Sequence, residues 1–103
     1  MSKLLNRIMK KGNYEFISDN GDWEYERIGI GELEGKVYRW DMEEGEGTDI
    51  VELKDGLSLE DVLNEGIKLG FFEKVVIEDW GVNWYLDLEK EVEMMDWLGG
   101  LDK

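Results

Sequence analysis

No proline occurs anywhere in this chain, so every break between its regular segments must come from glycine, asparagine or aspartate. Those residues cut the sequence into alternating helical and extended stretches, and that punctuation constrains the fold more than any other feature. Ser2 to Lys11 reads as a short helix. Leu4, Leu5, Ile8 and Met9 share one arc of the helical wheel, and Lys3, Asn6, Arg7, Lys10 and Lys11 share the other. Lys10 and Lys11 fall in the last turn, where cations suit the helix dipole, and Gly12 is the stop.

Asn13 to Ile30 reads as a β-hairpin turning at Asn20-Gly21, a pair that takes the positive φ angles of a two-residue turn. That turn sets Ser18 against Trp23, Phe16 against Tyr25 and Tyr14 against Arg27 on one largely aromatic face. The other face then sets Ile17 against Glu24 and Glu15 against Glu26, with Ile28 and Ile30 beyond a bend near Gly29. Lys36 to Met42 is a third strand after a turn at Glu34-Gly35, residues 43–49 are a loop, and Ile50 to Leu53 is a short extended piece. Ser58 opens the best-marked helix. It can cap, Asp61 stands at the third helical position, and Leu57 with Val62 forms a hydrophobic staple. Leu59, Val62, Leu63, Ile67 and Leu69 form its apolar arc. Gly66 lies within that arc, where its use is close approach to the sheet, and Gly70 ends the helix. Lys74 to Asp79 and Val82 to Leu88 form a second hairpin, and Glu89 to Leu98 a last helix closed by Gly99-Gly100. The expectation is an α+β fold: an antiparallel sheet of about five strands in two hairpins, with three short helices on one face, in the order α-β-β-β-(β)-α-β-β-α.

At 103 residues this is one domain, 1–103, large enough for a modest core. Apolar residues make up 42%, five of them Trp, which is too rich for a disordered chain. No apolar run reaches membrane-spanning length, and no signal-peptide core follows the N-terminal bases, so a cytoplasmic protein is expected.

With no His and no Cys, the commonest general base, the commonest zinc ligands and the thiol nucleophile are all absent. No enzyme, cofactor or metal is expected. The run Gly29-Ile30-Gly31-Glu32-Leu33-Glu34-Gly35 has the look of a phosphate loop. Its third glycine is one place late, no helix follows, and Glu32 and Glu34 would repel phosphate, so strand and turn is the better reading. Asp41, Glu43, Glu44, Glu46, Asp49 and Glu52 put six acids in twelve residues. Asp41 and Glu52 match the ends of an EF-hand loop, but Gly45 stands where a ligand belongs and Glu46 where glycine is required.

Charge is the remaining signal. The net is −14, and it is uneven: residues 1–12 carry four bases and no acid, whereas residues 13–103 carry a net of −18. Such a surface repels nucleic acid and anionic membranes and attracts basic proteins. Glu89, Glu93 and Asp96 line one arc of the last helix, and Met94 and Trp97 lie on a wider apolar arc that either caps the core or forms a partner-facing edge. Residues 89–96 carry a net of −3 over about 10 Å of helix, close to single-strand nucleic-acid density of one charge per ~3.4 Å.

In size, in its −14 charge, in lacking Cys and Pro, and in stretches such as DMEEGEGTDIVE (41–52) and EKEVEMMDW (89–97), the chain resembles small phage-encoded anti-defence proteins. Anti-CRISPR and anti-restriction DNA mimics are the examples, and acidic immunity proteins that neutralise nuclease toxins are similar in character. The resemblance implies a non-enzymatic inhibitor that covers a basic, nucleic-acid-binding surface of a nuclease or defence effector by charge mimicry. Such a protein would bind neither nucleic acid directly nor membrane. The candidate partner-binding residues are Glu15, Glu24, Glu26, Asp41, Glu43, Glu44, Glu46, Glu89, Glu93 and Asp96, with Met94, Trp97 and an exposed Trp23 or Trp40 as apolar anchors. Two alternatives stay open: a structural or assembly protein charged for solubility, and a weak divalent-cation-binding domain built on residues 41–52. Oligomeric state is open as well.

Overall fold

In a computed structural model, the structure describes residues 3–19, 22–41, 50–77 and 81–103, with side chains for 3–18, 28–41, 50–76 and 84–103. Helix α1 spans Lys3–Lys11 and closes with Gly12 N–H donating to the Ile8 carbonyl at 2.9 Å. Four strands follow: β1 (Asn13–Asp19), β2 (Asp22–Leu33), β3 (Lys36–Asp41) and β4 (Ile50–Glu52). Helix α2 (Leu59–Lys68) leads to β5 (Phe72–Ile77) and β6 (Gly81–Leu86). A 3-10 turn at Leu88–Lys90 then leads to α3 (Glu91–Gly99).

Local signals place these elements much as read from the sequence. Glu34 and Gly35 both take positive φ, 53° and 79°, in the tight turn between β2 and β3. Ser58 Oγ accepts from Asp61 N–H at 3.1 Å at the start of α2. The far end of α2 closes in a Schellman arrangement: Phe71 N–H reaches the Gly66 carbonyl at 2.9 Å, and Gly70 N–H reaches the Ile67 carbonyl at 3.0 Å. Gly70 takes the positive φ of 80° that this turn needs. A Cβ at Gly66 would collide with the Phe72 ring, so its missing side chain does allow close approach to the sheet.

The sheet has six strands in the order β4-β3-β2-β1-β6-β5. It is mixed: β1 and β6 pair in parallel, Ile17 beside Trp84, while every other neighbour is antiparallel. The expected all-antiparallel sheet of about five strands is therefore corrected. After β4, the chain crosses through α2 and delivers the β5–β6 hairpin to the open side of β1.

The expectation of helices on one face is corrected too. Successive residues Ile28, Gly29, Ile30 and Gly31 are all buried, and so are Val37 and Tyr38, which means both faces of the sheet are covered. One face packs Ile17, Ile28, Ile30, Val37 and Leu53 against Val62 and Leu63 of α2 and Met94 and Leu98 of α3. The other packs Leu33, Tyr38 and Trp40 against Ile8 of α1, with Leu4, Leu5, Tyr14, Phe16 and Ile50 around them. Gly29 and Gly31 make that second face possible. A Cβ at Gly29 would overlap the Trp40 indole, and one at Gly31 would press on Ile8 at 2.6 Å. The glycine-rich run is thus a strand shaped to receive an aromatic ring.

The first hairpin departs from the predicted register. The predicted turn at Asn20-Gly21 lies outside the described residues; Asp19 faces Asp22, but the register shifts on either side of Ser18, so that Ser18 faces Glu26 and Ile17 faces Ile28. The extra residues all lie on β2, closer to the tip than the predicted bend near Gly29. The shift brings Ile17 opposite Ile28 in the core, where the tight register would set it against Glu24. Glu15 faces Ile30, so the predicted Glu15–Glu26 pair does not form.

Candidate functional site

The sheet separates the charges. α1 carries Lys3, Arg7, Lys10 and Lys11, all exposed, on one face. α2, the 3-10 turn and α3 lie over the other, and their outward positions hold Glu60, Asp61, Glu65, Glu89, Glu93 and Asp96. All six are exposed, and none forms an ion pair among the described residues. The predicted arc of Glu89, Glu93 and Asp96 is thus solvent-facing. Glu60, Asp61 and Glu65 were not among the candidate partner-binding residues. Their signal was the polar arc opposite the apolar arc of α2, legible only once it is known that both helices cover one face.

Two of the predicted apolar anchors, Met94 and Trp40, are corrected. Met94 is 0% exposed at the centre of the main core, and Trp97 is half-buried, its ring 5.4 Å from that of Phe71 and 5.9 Å from that of Phe72. Trp40 is buried under α1. The exposed apolar residues of the last helical segment are instead Leu88, Val92 (76% exposed) and Met95 (38%), spaced along one side among the acids. Glu24, Glu26 and Trp23 belong to β2, but their side chains lie outside the described set, and Glu43, Glu44 and Glu46 lie outside the described residues altogether. Asp41 ends β3, half-buried, where its charge supports the Arg39 guanidinium. Glu52, the last acid of the EF-hand-like stretch, is engaged by the protein's own cations: Lys103 Nζ at 2.8 Å and Lys36 Nζ at 3.7 Å. Lys103 holds its carboxyl below the ordinary value. Among the described residues, no group of three or more acidic side chains converges to hold a metal ion.

Glu15 lies elsewhere on the acidic face, in an open cleft of about 490 Å³ between the N-terminus of α2 and the sheet. Asn13 and Glu15 come from β1, Glu32 from β2, Lys74 from β5 and Trp84 from β6. Ser58, Glu60 and Asn64 of the α2 segment overhang them. Alternation along each strand and the pairs Asn13–Glu32 and Lys74–Trp84 put the five strand residues on one face of the sheet. Glu32 accepts from Leu59 N–H at 2.7 Å and so binds the positive end of α2. Lys74 Nζ stands 5.4 Å from the Trp84 ring centroid, a cation–π distance. Burial pushes the Glu15 carboxyl above its ordinary value, while the Trp84 N–H and Lys74 pull it back in part. The Trp84 N–H is near enough to favour the carboxylate, yet Nε1 is buried without a well-aligned hydrogen bond. Chemically, the cleft offers carboxylates, an aromatic plate and amide and hydroxyl groups.

Comparison with protein-family models, curated proteins and solved structures gives no match to the chain.

Proposed function

We propose that this chain is a non-enzymatic binding protein that occupies a basic, nucleic-acid-binding surface of another protein and blocks it, in the manner of anti-CRISPR, anti-restriction or nuclease-immunity inhibitors. The observation that carries this reading is the division of charge: six exposed, unpaired carboxylates on the helices over one face of the sheet, and the N-terminal bases on the other. A net charge of −14 adds long-range attraction for a cationic surface, which speeds association. Val92 and Met95, set among Glu89, Glu93 and Asp96, supply apolar contact where water must leave.

The test is capture of partners from bacterial lysate with the tagged protein, with and without DNA as competitor, at low salt and at about 0.5 M salt. A basic nucleic-acid-binding protein should be retained at low salt and released by DNA. The double variant Glu93→Lys with Asp96→Lys should weaken that contact by about tenfold or more, about 1.4 kcal/mol, with the fold intact by circular dichroism. A partner that is indifferent to salt, DNA and both substitutions would overturn the reading.

A further inference from the structure

We propose that the cleft beneath the N-terminus of α2 is a receptor for a guanidinium group, the head of an arginine side chain on the basic partner, seated between Glu15 and Glu60 over the Trp84 indole. This rests on the binding reading above and names the chemistry of its anchor point.

Three observations converge. Charge is the first. Glu15, Glu32 and Glu60 line the cleft against one base, Lys74, so its walls carry a net negative charge. An anion has no place there: Glu32 already occupies Leu59 N–H and Ser58 already occupies Asp61 N–H at the helix N-terminus, where an anion would bind. The second is the aromatic plate. Trp84 is only 5% exposed, yet its indole lines the cleft, and the protein's own Lys74 ammonium stands over the ring. The site thus already holds a cation of its own at cation–π distance, and an incoming cation would replace it. The third is incomplete bonding. Trp84 Nε1 is buried without a hydrogen-bond partner, beside a Glu15 carboxylate that no ion pair or hydrogen bond of full geometry fixes. A group that grips Glu15 from the cleft side would hold its other oxygen toward the indole N–H and satisfy both.

Guanidinium fits these demands better than ammonium. It is planar, it stacks on indole, its forked donors match a carboxylate, and it sheds water more easily than a lysine head group. A cleft of about 490 Å³ admits it beside the displaced Lys74.

L-argininamide, which has no carboxylate, is the probe. Its binding is followed by the indole N–H resonances of the ¹⁵N-labelled protein, with Trp84→Phe identifying the Trp84 signal. Saturable binding that shifts the Trp84 resonance is expected. Glu15→Gln should weaken it by about tenfold, Glu93→Gln, outside the cleft, by less than about twofold, and Lys74→Ala should strengthen it by removing the competing cation. Non-saturating shifts, or equal losses in Glu15→Gln and Glu93→Gln, would reduce the effect to bulk charge and overturn the proposal. The two readings fail separately. A partner captured through the helices whose affinity ignores Glu15→Gln removes the cleft alone. Argininamide bound at Trp84 with no basic partner captured removes the blocking function alone.

Discussion

At the scale of single residues, Glu15 leaves a pH signature of defined sign. Burial raises its carboxyl above the ordinary value of 4.5, against the pull of Trp84 and Lys74. Within the window between 4.5 and the higher folded value, the native chain keeps a proton that the unfolded chain has released, so this residue's contribution to stability falls as pH rises and is flat above. Glu52 has the opposite sign: Lys103 lowers its carboxyl, so its contribution is present above 4.5 and lost as pH falls through the lowered value. Glu15→Gln should melt higher than the parent at neutral pH, with the two curves converging below about pH 4. Melts from acid to neutral pH check this, and a parent no less stable than the variant at neutral pH would refute it. Residues acting on near neighbours in sequence were legible in advance. The Ser58 cap, the Glu34-Gly35 turn and the Gly70 stop each answer a local backbone demand. The buried setting of Glu15 was not legible, because it is made by Lys74 and Trp84, which reach it from two other strands.

At the scale of elements, the segment after α3 is the least conventional part. It returns to the sheet beside β4: Leu53 and Asp102 form a bridge, Lys54 N–H donates to the Leu101 carbonyl at 2.8 Å, and Lys103 N–H to that of Glu52 at 3.0 Å. Arg39 fixes it from β3 with two hydrogen bonds to the Asp102 carboxylate, at 2.7 and 2.6 Å, and the pair is mostly shielded from water. Asp102→Asn keeps the shape but loses the charge-assisted fork, and should cost about 1–3 kcal/mol, read as a lower urea midpoint. An unchanged midpoint would mean that the backbone bonds hold the tail alone. Neither this clasp nor the parallel β1–β6 pair announces itself in the sequence. Hydrophobic alternation marks a strand and its inward face but is silent on which distant strand lies beside it. The first hairpin shows the same limit: the core sets Ile17 against Ile28 in place of the register that a two-residue turn alone would impose.

At the scale of the whole molecule, the sheet works as a divider between a basic helix and an acidic helical layer. A net charge of −14 on 103 residues is strongly self-repelling, and most of the acids whose side chains are described have no ion pair to offset it. Added potassium chloride should therefore raise the melting temperature as it screens that repulsion, chiefly up to about 0.5 M, where the Debye length has fallen to a few ångströms. Thermal melts across a salt series test this. A fall would mean that the few pairs present, such as Arg7–Glu34 at 3.0 Å, outweigh the repulsion.

The parallel pair at the centre of the sheet also dictates when this protein can come into being during synthesis. β1 (Asn13–Asp19) leaves the ribosome ahead of β2 to β5, yet one of its two edges stays open until β6 (Gly81–Leu86) is made. The β1–β2–β3 meander can form early, but it then waits with Ile17, Ile28 and Ile30 uncovered on one face. Closure depends on contacts between strands far apart in sequence, an arrangement that slows folding and defers completion until β6 has been made.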